Sequence, residues 1–265
     1  MGVPMRVAIT RPIEYIEQSE EMLRKRGFDV IAAPMIGVAP RDDPGFEPFL
    51  RRVIEGVADF VIFTSLNGVR FTLEKIDEAR RGTFISALND PATSVVSMGP
   101  RTAEGLERFG IKPDMIPETF TSAGLLELLR PYVPGKDLEV VRSDHGSKIL
   151  IDGLREAGGE VHEIKVYSIV RPAGERQHEL IREVADGNVD ILTFTSAQTV
   201  KNFFKTADEL GLGNIIQRRL SEMLIAVIGE PTARVVEDLG LKVDIMPKRA
   251  TFDDMIDEIS KRSKI

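Results

Sequence analysis

The chain has 265 residues, 42% of them hydrophobic, and carries 42 Asp and Glu against 35 Lys and Arg, a formal net charge of −7. That length suits one large or two ordinary α/β domains, and the acidic balance argues against a nucleic-acid binder, which usually carries a basic field. The absence of cysteine excludes disulfides, thiolate metal sites and cysteine nucleophiles.

In chain order, the first half reads as short apolar runs of strand length: VAIT, FDVIAAP, DFVIFTS, SVVSM and PDMIP. Stretches with a polar helical face separate them. The second half repeats the scheme with LEVV, EVHEIKVYSIV, DILTFTS, LIAVIG and VDIMP. Apolar strands alternating with helices predict parallel sheets covered on both faces. The opening MGVPMRVAIT runs straight into a strand, leaving no room for a signal peptide. No apolar run is long enough to span a bilayer. A cytoplasmic protein without membrane contact is therefore expected.

The halves also resemble each other in sequence. FTSLNGV at 63–69 returns as FTSAQTV, with Phe63, Thr64, Ser65 and Val69 matched 131 positions later by Phe194, Thr195, Ser196 and Val200. Residues 97–129 laid over 227–259 share nine identities, among them Gly99/Gly229, Thr102/Thr232, Asp114/Asp244 and Thr121/Thr251. Two copies of one unit of about 130 residues follow from this register. Ligands of such sheets sit at the carboxyl ends of the strands. The repeated polar residues all fall there: Arg11 and Arg142, Thr64-Ser65 and Thr195-Ser196, Gly99 to Thr102 and Gly229 to Thr232.

Each of these residues also has a structural reading. The Ser and Thr pairs can cap helices, and the same free N–H groups can hold carboxylate or phosphate. Arg11 and Arg142 can bind carboxylate in bidentate fashion or pair with a neighbouring helix. His145, His162 and His178 have no partners at metal spacing, and GLG at 211–213 reads as a turn rather than a dinucleotide loop. Tyr167, one of three tyrosines, lies in KVYSIV and can be a core aromatic or a proton donor. The residues thus describe a two-lobed cleft for a polyanionic small molecule and name no reaction.

TRP at 10–12, the LxxxG…P pattern ending at Pro34, FTSLNGV, VYS at 166–168 and IGEPTARVVEDLGLKVDIMPKRATFDDMIDEI at 228–259 together resemble uroporphyrinogen-III synthase over essentially the whole chain. One departure is Glu230-Pro231, where that family usually has Gly-Pro-x-Thr. The resemblance implies two flavodoxin-like parallel-sheet lobes joined by a two-stranded connector. Residues 1–36 and 169–265 would form the first lobe, 41–163 the second, and 37–40 with 164–168 the connector strands.

The resemblance implies conversion of hydroxymethylbilane, a linear tetrapyrrole with eight carboxylates, to uroporphyrinogen III with ring D inverted and water lost. It implies no metal or cofactor. Tyr167 is then the candidate proton donor. Candidate substrate contacts are Arg11, Thr64, Ser65, Asn67, Thr102, Arg142, Thr195, Ser196, Gly229 and Thr232. A transient hand-over from hydroxymethylbilane synthase would fit this place in the pathway. The competing reading is a non-catalytic two-lobed binding or sensor protein for a small polyanion.

Overall fold

The structure is a computed structural model that describes residues 4–263. The start of the segment read above as leaving no room for a signal peptide, residues 1–3, lies outside the described residues. The chain forms two compact units, one from residues 1–37 and 170–265 and the other from 38–169.

Nine strands are named: β1 (Arg6–Ile9), β2 (Asp29–Ala32), β3 (Gly37–Pro40), β4 (Phe60–Phe63), β5 (Ser94–Ser97), β6 (Asp137–Ser143), β7 (Glu160–Val170), β8 (Ile191–Phe194) and β9 (Leu224–Val227). The first unit has the order β2-β1-β8-β9, every pair parallel. The second has β3-β7-β6-β4-β5, with β7-β6, β6-β4 and β4-β5 parallel. Ile245 extends the first sheet beyond β9 and Met115 the second beyond β5, each by a single parallel bridge. PDMIP and VDIMP, expected as strands, therefore pair at one residue each. Taking β6, β7, β4, β5 and Met115 as one series, both units share the 2-1-3-4-5 order of flavodoxin-like sheets.

Burial explains why these runs become central strands. In β1, Val7 and Ile9 enter one apolar cluster with Met255 and Ile256, whereas Ala8 enters another with Phe194 and Phe203. In β4, Phe60 and Ile62 face Leu125 and Leu154, and Val61 and Phe63 face Phe49 and Phe84. Each sheet thus has a core on both faces, which is what a run such as FVIF requires.

Matching positions of the two units make matching hydrogen bonds. Val95 N–H donates to Asp114 Oδ2 at 2.8 Å, and Ile225 N–H donates to Asp244 Oδ2 at 3.2 Å. Met98 N–H donates to the Phe63 carbonyl and Ile228 N–H to that of Phe194, both at 3.0 Å. The segments anticipated as connectors are strands of the second sheet itself. Residues 37–40 are β3, at its edge, and 164–168 continue β7 without a break. The reason is local: β7 stays registered on β6 as far as Tyr167, opposite Ser143.

Candidate functional site

In the second unit the carboxyl ends of β4, β6 and β7 bring together residues far apart in sequence. After Phe63 the chain turns at Thr64 and Ser65 into the helix Leu66–Lys75. Ser65 is extended (φ −163°, ψ 157°), and its Oγ accepts the Gly68 N–H at 3.0 Å, a regular N-cap. Thr64 Oγ1 donates to the Val141 carbonyl at 3.0 Å, which ties β4 to β6. The capping reading is therefore right for Ser65 and incomplete, because its Oγ also lies 2.9 Å from the Tyr167 hydroxyl.

Tyr167 is a core aromatic in its ring, whereas its hydroxyl has polar surroundings. Its ring stacks on Phe71, centroids 5.6 Å apart and planes 20° from parallel, and the residue is 7% exposed within the apolar cluster. Its hydroxyl leaves that cluster at the polar turn of Ser65. Phe71, which holds the ring, was missed in the sequence, although it lies on the same helix as the FTSLNGV motif.

Arg142 is 3% exposed. Its Nε makes no hydrogen bond among the described residues, and Glu163 Oε1 stands 3.5 Å away. Burial pushes the guanidinium below its ordinary pKa, opposed by the charge of Glu163 and by Tyr167. The register of β6 on β7 shifts between Arg142 and Ser143. Gly146 then passes so close that a Cβ there would meet the guanidinium, 1.6 Å from an Nη. Glu163 was also missed. No spacing along the chain signalled it: Glu163 lies opposite Val140 on the neighbouring strand β6, and Arg142 follows two residues on, on the same face.

The side chains of Asn67 and Thr102 make no hydrogen bond with other described residues. Thr102 occupies the third position of the helix Pro100–Glu107, after an extended Gly99 (φ −176°, ψ 175°). The Thr102 and Ala103 N–H groups donate back to the Gly99 carbonyl, at 3.0 and 3.1 Å, and Pro100 has none, so among the described residues Arg101 carries the first-turn N–H without a backbone acceptor.

The first unit carries the corresponding positions. Ser196 Oγ accepts the Thr199 N–H at 3.2 Å and caps Ala197–Glu209. Gly229 (φ 177°, ψ 175°) precedes Glu230–Asp238, with Thr232 again third. The Glu230-Pro231 departure thus leaves the turn unchanged; it moves the missing N–H from the first helical position to the second. Thr195 and Thr232 make no side-chain hydrogen bond with described residues. Arg11 is engaged within its own unit: it donates to Ser19 Oγ at 2.8 Å and lies over the rings of Phe252 and Tyr15, at 4.0 and 4.7 Å.

At the opposite ends of β6 and β7, His162 Nε2 lies 3.2 Å from Asp137 and 3.7 Å from Glu160. Linear spacing gave no hint of this, because Asp137 comes from the neighbouring strand. Among the described residues no helix is long and apolar enough to cross a membrane.

Fold and strand-end chemistry define a protein of two doubly wound α/β units, each with polar residues at the ligand edge. The family model for uroporphyrinogen-III synthase HemD matches residues 17–257. A protein of Methanothermobacter thermautotrophicus, provisionally named a uroporphyrinogen-III synthase, is 32% identical over 94% of this chain and 95% of its own length. The uroporphyrinogen-III synthase of Chlorobaculum parvum is 27% identical over 91% of this chain and 92% of its own. Among solved structures, a mutant uroporphyrinogen III synthase from Thermus thermophilus superposes with a TM-score of 0.63 at 21% identity, covering 98% of this chain and all of that one. The Helicobacter pylori enzyme gives 0.63 at 16%, covering 99% and all of its chain. The chain belongs to the uroporphyrinogen-III synthase family, cyclising lyases of tetrapyrrole biosynthesis.

Proposed function

We propose that the protein closes hydroxymethylbilane to uroporphyrinogen III, inverting ring D and releasing one water, with Tyr167 as the proton donor. The observation that carries the reading is the Tyr167 hydroxyl, held 2.9 Å from Ser65 Oγ at the ligand edge of the sheet. Loss of the terminal hydroxyl needs one proton, and the electron-rich pyrrole drives the C–O bond open. The resulting cation is attacked through a substituted pyrrole carbon. Neither step calls for a metal or cofactor.

The uncatalysed chain closes without inversion, so selectivity requires folding the substrate before attack. Orientation of this kind supplies on the order of 7–11 kcal/mol. In our reading the carboxylates are held by N–H groups and hydroxyls at the strand ends. Asn67 and Thr102 serve in one unit, with Gly229, Thr232, Thr195 and Ser196 in the other. Arg11 and Arg142 act from behind these donors, since Arg11 is engaged by Ser19 and two rings and Arg142 is buried. A cytoplasmic location and hand-over from hydroxymethylbilane synthase complete the proposal, because the linear substrate cyclises wrongly when left free.

Incubating the purified protein with hydroxymethylbilane and chromatographing the oxidised porphyrins tests this directly. Type III product is expected. Type I alone at saturating protein would remove the assignment.

A further inference from the structure

We propose that Ser65 is a positioning residue that couples the N-terminus of the helix Leu66–Lys75 to the Tyr167 phenol; this rests on the reading of Tyr167 as the acid. Counting hydrogens carries the argument. Ser65 Oγ accepts the Gly68 N–H at 3.0 Å and lies 2.9 Å from the Tyr167 oxygen. Neither hydroxyl makes another hydrogen bond with a described residue. The pair owns two O–H hydrogens and spends one in the bond between them, so one is uncommitted.

If Tyr167 donates to Ser65, the uncommitted hydrogen is the serine's. If Ser65 donates to Tyr167, it is the phenol's, which is the arrangement an acid needs. The second arrangement also runs in one direction, from Gly68 N–H to Ser65 O–H to the Tyr167 oxygen. Each donor in such a chain is strengthened by the one behind it, and the chain begins at the positive end of a helix of ten residues.

The step balances. The Tyr167 O–H bond breaks, its proton joins the substrate hydroxyl, and the C–O bond opens to release water. The phenolate left behind accepts the Ser65 O–H in a charge-assisted bond. It recovers a proton when the last pyrrole carbon is deprotonated. The matching serine of the other unit shows that the arrangement is more than a cap: Ser196 takes the Thr199 N–H in the same way, but its nearest hydroxyl neighbour is Thr199 itself, at 3.5 Å.

The test uses the full chain and hydroxymethylbilane, with Ser65→Ala, Ser65→Thr, Tyr167→Phe and the double variant Ser65→Ala/Tyr167→Phe. We expect Ser65→Ala to lower kcat by about 10- to 100-fold, the worth of a hydrogen bond to a charged group, with KM little changed. Ser65→Thr keeps both hydroxyl and cap and should restore most of the rate. In the Tyr167→Phe background, Ser65→Ala should cost nothing further in kcat, whatever it does to Tm.

A raised KM with intact kcat would make Ser65 a substrate contact and overturn the proposal. So would equal losses from Ser65→Ala in the presence and absence of the phenol. A fully active Tyr167→Phe would remove the acid itself, whereas an impaired Tyr167→Phe beside a fully active Ser65→Ala would remove only the coupling.

Discussion

At the scale of single residues, Tyr167 separates packing from chemistry because its ring and hydroxyl have different surroundings. Tyr167→Phe keeps the stack on Phe71 and leaves Ser65 still accepting the Gly68 N–H, so stability should change by about 1 kcal/mol or less. Turnover should fall by roughly 10²–10⁴-fold, the usual worth of general acid assistance, and type I product should rise as spontaneous closure competes. Tyr167→Ala also empties a core position and should destabilise by about 3–5 kcal/mol. Thermal melts beside rate and isomer ratio distinguish the two; an active, selective Phe variant would confine Tyr167 to packing. Both Ser65 and Tyr167 were legible as candidates, yet their contact was not. It spans 102 positions and depends on β6 lying between β4 and β7, an adjacency that spacing along the chain does not encode. Arg142 was read as an edge residue, and the shift at Ser143 with the close pass of Gly146 buries it instead.

Secondary elements were more legible where burial is two-sided. FVIF and ILTF, buried at every position, can only be central strands of a covered sheet, whereas PDMIP and VDIMP look equally apolar and pair at one residue each. The β6 strand also holds a charge that no periodicity argument would place. Glu139 is fully buried, with its carboxylate paired to Arg52, Nη2 to Oε2 3.0 Å. Burial raises the Glu139 pKa above its ordinary 4.5, and the pairing with Arg52 only partly offsets the rise. A carboxyl that holds its proton more tightly when folded favours the folded state at low pH and loses that advantage as pH rises through its folded value. The stability of the natural protein minus that of Glu139→Gln should therefore decline as pH rises from about 4.5. Urea melts of both proteins at a series of pH values read the difference. A difference that grows with pH would mean that the ion pair outweighs burial.

For the whole molecule, the repeat was visible in the sequence, but the repeat alone does not place the boundaries. A repeat of about 130 residues suggests one division near its middle, whereas the chain passes between units at 37/38 and again at 169/170. Residues 4–37 supply β1, which pairs with β8, and β2 at the edge beyond it, so the first sheet joins strands from both ends of the chain. Each unit has its own cores, and truncating one of them should show in one unit first. Phe203→Ala, at a fully buried site of the first unit, should cost about 3–5 kcal/mol and split thermal unfolding into two calorimetric steps. A single step shifted as a whole would show that the units unfold together.

Charge acts at this same scale. The chain carries −7 and its proposed substrate eight carboxylates, so the long-range interaction is repulsive. Contact with N–H dipoles and hydroxyls is short-ranged and little affected by salt, whereas repulsion at a distance is screened as the Debye length falls from about 30 Å at 0.01 M to about 8 Å at 0.15 M. Raising salt over that range should therefore increase kcat/KM several-fold and leave kcat unchanged. A cationic funnel would do the reverse, because attraction is what screening weakens. Arg11 and Arg142 are the cations sequence reasoning placed at the ligand edge. The first is held by Ser19, Tyr15 and Phe252, and the second is buried beside Glu163. Neither is presented as an open charge, so the rise is the expected sign. A steep fall of kcat/KM with salt would mean that one of these guanidiniums turns outward to meet the substrate, and Arg142→Gln against Arg11→Gln would show which.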